Sequence, residues 1–401
     1  MNKNIWKYLL LTVACLAGLY LRFYLLVRGG HSSDISLFTN WANTISDQGF
    51  WQLYSKNFYQ NGLDYPPLVP LITSWWLELG RSIGVANLTT FFKLIPTVAE
   101  IIFSAITFYI IYQMKGRYKY LLLTLVILQP ALVLVSEGWG QVDSMMALFA
   151  LLGFVLMEKN PSISTFMMFL AILVKPQSAI AVGFYFLYFL VKKRYKVFVW
   201  QVVLFVLIFA AFGTIFYVGS RGGNVFDIFI HAVGRYTNSS LNAFNLWWAL
   251  YGKGSWDIVD SSGIPSFKNV GLGFFLIFEI PALVYFFKKC RSLSSLLLVV
   301  AYSYFIFFVF PTEIHERYMF AAVALMAIPA MRYPKILWVY IVISTTFLVN
   351  VFAVLQSVYY PYDFLKFYMM DGSWTRITSL VNIAVAIYLA YYLYEESFRE
   401  D

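Results

Sequence analysis

The sequence predicts an all-α polytopic membrane protein of about twelve transmembrane helices, with one further helix (66–79) lying at the outer surface. Three observations predict it. Of 401 residues, 61% are hydrophobic and only 12% charged, against the roughly 25% charged residues of soluble domains. Apolar runs recur from Lys7 to Tyr394, which excludes a soluble core with a single anchor. The basic residues behind the net charge of +9 sit in short clusters between those runs. That is a pattern of topology, and no nucleic acid is expected as a partner.

The first run, Leu9 to Val27, follows Lys3 and Lys7. It is too long for a signal-peptide core and lacks a small-residue cleavage site, so it reads as a signal anchor with its N-terminus inside. Cys15 lies within it and Cys290 in a basic loop; at different depths, they suit neither a disulfide nor a zinc site. The expected spans are 8–27, 91–113, 119–135, 142–157, 162–174, 177–191, 196–217, 270–287, 293–310, 317–331, 335–357 and 376–394. Pro66 to Leu79 is the difficult stretch, because it opens on two prolines, carries Glu78 and falls short of the ~20 residues a span needs. Charge decides its placement. If it does not cross, Lys115, Arg117, Lys192, Lys193, Arg194, Lys288, Lys289, Arg291 and Arg332 all face the cytoplasm, as the positive-inside rule demands. If it crosses, all of them move outside together. The stretch is therefore placed in the outer interface, with both termini inside. The chain then divides into a catalytic transmembrane module, 1–218, with a first outer loop, 28–90; a long outer loop, 219–269; and C-terminal helices, 270–401.

The same topology gathers the unusual residues on one face. Its outer segments hold His31-Ser32-Ser33-Asp34, Asp64-Tyr65-Pro66-Pro67-Leu68, Glu137 to Ser144, Lys175-Pro176-Gln177, Asn238 to Trp248, and Pro311 to Tyr318. All three histidines (His31, His231 and His315) fall on this side. The spans around Lys175 are short enough that it is expected in a turn dipping below the surface, where irregular backbone lines a cavity or is buried in protein. A lysine there seeks an anion. Aromatics crowd the same segments; interface belts explain many, and sugar stacking is the sharper alternative for Trp139 and Tyr65, which acids flank.

These segments, in this order, resemble the lipid-phosphate-sugar-dependent glycosyltransferases of the GT-C fold. They look most like bacterial relatives of the second mannosyltransferase of GPI-anchor assembly, with a weaker likeness to dolichyl-phosphate-glucose glucosyltransferases. The resembling motifs are His31-Ser32-Ser33-Asp34, Asp64 to Leu68, Trp139 to Asp143, Lys175-Pro176-Gln177, Leu241 to Trp247 and His315-Glu316-Arg317-Tyr318. The resemblance implies a donor sugar carried on a polyprenyl phosphate in the outer leaflet, made by a separate synthase. An acceptor hydroxyl attacks the anomeric carbon and polyprenyl phosphate leaves. In such enzymes an acidic residue in the first outer loop acts as the base, and Asp34 matches that position. The expected product is a hexose, mannose or similar, placed on an extracytoplasmic glycan of the cell envelope. The expected location is the plasma membrane with the site outside, or the endoplasmic reticulum facing the lumen in a eukaryote. No cofactor is expected, a divalent metal being left open.

The chemistry read from the residues is compatible. Inverting transfer needs a carboxylate on the acceptor side and cations around the leaving phosphate. Asp34, Asp64 and Asp143 suit the first role; Lys175, His315 and Arg317 suit the second. Tyr65, Trp139, Gln141, Asp143, Gln177, Asn242, Asn245, Glu316 and Asp64 are candidates for sugar or acceptor contacts, with His31 in support. Simpler readings stand beside these. Asp64 could cap the helix that starts at the prolines, Asp34 a helix beginning near Ile35, and Glu316 and Arg317 could form a local ion pair. His231 reads as structural, and Glu100 and Glu279, inside spans, should face the bundle. The rival function is a polytopic transporter or lipid-linked sugar flippase. A transporter, however, sets its polar groups near the midplane in paired repeats, and no repeated halves are visible.

Overall fold

Each of the twelve apolar stretches folds as helix, because in lipid every backbone N–H and C=O must find its partner within the chain. The computed structural model describes residues 3–55, 63, 65–223, 225–231, 236, 238–253, 266–359, 370 and 372–400. Its longer helices are α1 (Lys3–Leu26), α2 (Ser32–Gln48), α3 (Leu68–Ser82), α4 (Leu88–Gln113), α5 (Lys119–Leu128), α6 (Asp143–Leu156), α7 (Pro161–Val174), α8 (Ala179–Val191), α9 (Tyr195–Gly219), α10 (Phe267–Lys289), α11 (Leu293–Val309), α12 (Phe320–Arg332), α13 (Pro334–Tyr359) and α14 (Ser373–Phe398). α5 runs on through Pro130–Val133 into a π turn, Leu134–Trp139. No strand occurs among the described residues. Among the described residues, seven helices are long and apolar enough to cross a membrane, so the protein is an all-α polytopic membrane protein.

The segment expected as a first outer loop holds α2 and α3. α3 starts at Leu68, two residues past the expected Pro66, with Pro67 at its N-cap. At ~1.5 Å per residue its 15 residues reach roughly 22 Å, short of a ~30 Å hydrocarbon core. Val69, Thr73, Ser74, Leu77 and Gly80 are buried, whereas Trp75, Leu79 and Ile83 form an exposed apolar stripe.

The chain packs as two compact units. One, called here the Asp34 unit, comprises Tyr24–Ile101 and Ser136–Arg235; the other, the Arg317 unit, comprises Met1–Phe23, Ile102–Val135 and Tyr236–Asp401. The expected module 1–218 is thus shared between both. In the Asp34 unit, α2 packs on α3, α6 on α7, and α8 on α9. α9 turns Val199, Trp200, Val203, Val206, Leu207, Ile215 and Val218 outward, an apolar surface suited to lipid. In the Arg317 unit, α11 and α12 pack on each other and are buried along nearly all their length. Glu100 is fully buried, and Glu279 accepts a hydrogen bond from Ser303 Oγ at 2.7 Å. Both face protein, as acids in spans are expected to.

Candidate active site

α1 ends at Leu26, and the chain reaches α2 through His31, which caps it. His31 Nδ1 accepts from the Asp34 backbone N–H at 3.3 Å. The His31 N–H donates to the Trp139 carbonyl at 3.0 Å. Its ring stacks on the Trp139 indole with centroids 4.5 Å apart and planes 2° from parallel. Asp34 therefore stands in the first turn of α2, where the helix dipole favours a carboxylate. The capping role weighed for Asp34 belongs to His31.

The second segment arrives through the π turn. Such a turn carries one extra residue and re-aims the side chains at its end. Gly140 follows with φ of +89°, a conformation glycine adopts without strain. Trp139 and Gln141, on either side of it, both reach Asp34. Trp139 Nε1 donates to Asp34 Oδ2 at 2.7 Å, and Gln141 Nε2 donates to the same oxygen. Gln141 Oε1 accepts from the Tyr65 hydroxyl at 3.0 Å, which sets which end of the amide faces the acid. The Tyr65 ring faces Lys175 Nζ, 5.6 Å from its centroid.

Lys175 is the single extended residue between α7 and the short 3-10 turn Pro176–Ser178. Its ammonium donates to Asp143 Oδ2 at 2.8 Å, in the first turn of α6. His31, Asp34, Tyr65, Trp139, Gln141, Asp143 and Lys175 thus form one connected set within the Asp34 unit. Exposure separates its two acids. The Asp34 side chain is 21% exposed, whereas those of Asp143 and Lys175 are 1% and 5% exposed. Asp143 is buried and its charge is offset by Lys175. Asp34 Oδ2 takes both donors, Oδ1 lies 3.8 Å from His31 Nδ1, and the side chain stays partly exposed. Trp139, Gln141 and Tyr65 are buried, and their polar atoms act on Asp34 or on each other. Gln177 is partly buried in the 3-10 turn, and its Oε1 has no hydrogen-bond partner among the described residues. Asp64 lies outside the described residues.

The Arg317 unit holds the other expected residues. Leu241 N–H donates to the Ile314 carbonyl at 2.9 Å, and isolated bridges join Leu241 and Asn242 to His315. Asn242 and Glu313 bend these segments with φ of 65° and 63°. Asn245 caps the short helix Leu246–Tyr251, its Oδ1 accepting from the N–H groups of Trp247 and Trp248 at 3.1 and 3.2 Å. Glu316 and Arg317 pair at 2.9 Å, both buried, and the Arg317 guanidinium lies 3.4 Å from His315 Nδ1. The local ion pair weighed from the sequence is present.

Three polar residues that the motif reading passed over support these segments. Lys93, fully buried near the start of α4, donates to the carbonyls of Leu25, Arg28 and Gly29 at 2.8, 2.8 and 3.0 Å. Asn350 accepts from Phe244 N–H and donates to the Asn242 carbonyl, at 2.9 and 2.8 Å. Asn382 donates to the Phe244 carbonyl at 2.9 Å. A charge or amide inside an apolar span was the signal available, the same one that singled out Glu100 and Glu279. Among the described residues no three His, Cys, Asp or Glu side chains gather as a metal site. Comparison with protein-family models and with curated proteins finds no match.

Proposed function

We propose that this chain is an inverting glycosyltransferase of the GT-C type, moving a hexose from a polyprenyl-phosphate donor to an extracytoplasmic glycan acceptor. One observation carries the reading: the partly exposed Asp34 carboxylate is aimed by two donors on a single oxygen, beside a fully buried Asp143–Lys175 pair. Asp34 takes the proton of the acceptor hydroxyl as that oxygen attacks the anomeric carbon. The bond from that carbon to the phosphate oxygen breaks, and polyprenyl phosphate leaves with the bonding pair. Holding the base by fixed neighbours avoids reorganisation when the charge moves. His31 holds the turn that bears it. Lys175 is proposed as a cation for the donor phosphate within the Asp34 unit, and His315 with Arg317 as phosphate-binding groups within the Arg317 unit, as cations act in such chemistry.

Twelve spans with α3 in the outer interface belong to the same reading. The short length of α3, its exposed Trp75, Leu79 and Ile83, and the basic clusters on one side support them. Single cysteines at Arg81 and Lys115 test this: the first should label from outside and the second only from inside. Labelling of both from one side refutes the topology.

Asp34→Asn tests the function. Asparagine still offers an oxygen to Trp139 and Gln141 but cannot accept the proton. With a synthetic polyprenyl-phosphate sugar in detergent, wild type should transfer sugar and the variant should be slower by about 10² to 10⁴. No transfer by wild type across mannose, glucose, galactose and N-acetylated donors, together with movement of a lipid-linked sugar between leaflets, would favour the flippase instead.

A further inference from the structure

Lys93, a fully buried charged side chain of the Asp34 unit, touches both segments carrying the site. Its ammonium takes the carbonyls of Leu25, in the last turn of α1, and of Arg28 and Gly29 just beyond it. Those residues lead directly into His31. On the other side, a Cβ built on Gly140 would stand 3.2 Å from Lys93 Cγ, so the stem of the lysine lies against that glycine. Gly140 links Trp139 to Gln141, the two donors to Asp34. The Glu137 carboxylate, on the π turn, acts on the Lys93 ammonium electrostatically. One side chain therefore braces the chain before the acid and the chain that aims it. A direct tie between the same segments, His31 N–H to the Trp139 carbonyl, runs parallel to it.

We propose that Lys93 is a positioning residue for Asp34, fixing the His31–Asp34 turn against the Trp139–Gln141 segment without itself meeting substrate. This rests on the glycosyltransferase reading for its catalytic consequence, though not for its structural one. Without the ammonium, the bonds that tie the carbonyls of Leu25, Arg28 and Gly29 to α4 are lost. The turn then rests on the His31–Trp139 bond and ring stack and on the two bonds to Asp34, and it gains freedom. Arginine keeps the charge, but its planar fork does not reproduce three donors on one nitrogen.

Two readouts test it on the full chain in detergent. In a background with Cys15 and Cys290 replaced, a spin label at Ser33→Cys, an exposed position, reports the motion of the turn. Lys93→Met should raise the label's mobility while the variant stays monodisperse, and transfer should fall about a hundredfold in kcat with the donor KM little changed. The losses of Lys93→Met and Asp34→Asn should combine to much less than their product, because both act through one group. Unchanged mobility in a folded Lys93→Met overturns the proposal whatever the activity. Where Lys93→Met does not fold, Lys93→Arg takes its place with the same two expectations. Failure of both variants to fold, or losses that simply multiply, marks Lys93 as general scaffold and overturns the positioning role. If the label loosens but wild type transfers no sugar, the positioning role stands and the glycosyltransferase reading fails.

Discussion

The two units use their polar residues differently. In the Asp34 unit the motif side chains bond to one another: Trp139 and Gln141 to Asp34, Tyr65 to Gln141, and Lys175 to Asp143. In the Arg317 unit the asparagines are spent on backbone. Asn245 caps a helix, while Asn350 and Asn382 hold the peptide groups of Asn242 and Phe244. Among the described motif residues of that unit, Glu316, Arg317 and His315 form a side-chain cluster. Polar residues that look alike in sequence thus do two jobs. A side chain bonded to another side chain is oriented for use, whereas one bonded to a peptide group shapes the loop that carries other residues.

Substitutions can break or sharpen that contrast. The largest effect should come from Asp34→Asn, where kcat falls by the two to four orders of magnitude given above and thermal stability changes little. A variant that keeps most of its rate removes Asp34 from the chemistry and the contrast with it.

Lys175→Met comes next. It strands Asp143, 1% exposed, without its cation, and stranding a buried charge costs about 3–5 kcal/mol. Thermal unfolding in detergent should show that loss, and adding Asp143→Leu should recover much of it, because an apolar pair of similar volume needs no desolvation. If the double variant recovers stability and full transfer, the pair is scaffold and plays no part in the site.

Arg317→Gln should weaken donor binding by about 1.5–3 kcal/mol, roughly ten- to a hundredfold in Kd, if the guanidinium meets the phosphate. Acceptor affinity is the internal control. Equal losses for both substrates would assign Arg317 to holding Glu316 and place its turn with the backbone-bound residues of its own unit.

The smallest effect is expected from Asn245→Ala. Loss of an N-cap costs about 1 kcal/mol of stability, with kcat little altered. A large loss of kcat without loss of stability would mean that Asn245 meets substrate after all, through the Nδ2 that its capping bonds leave unused.

The helical, polytopic character of the chain was legible from composition and from the spacing of apolar runs, since lipid accepts only segments that satisfy their own backbone. The polar motifs that interrupt those runs were legible too. Their partners were not. Nothing in the order of residues says that Asp34 meets Trp139 and Gln141, more than a hundred positions away, nor that Asp143 and not Asp34 takes Lys175. Which of two similar carboxylates stays accessible depends on what packs over each, and that is decided only when distant helices come together. Lys93 makes the same point from the other direction. Alone in sequence it is a costly charge at the start of an apolar helix, and only the folded chain brings three peptide carbonyls around it. Sequence by itself determined where polar groups could be tolerated. Tertiary structure decided which of them bond to each other, because desolvation and hydrogen bonding are properties of a neighbourhood and not of a residue.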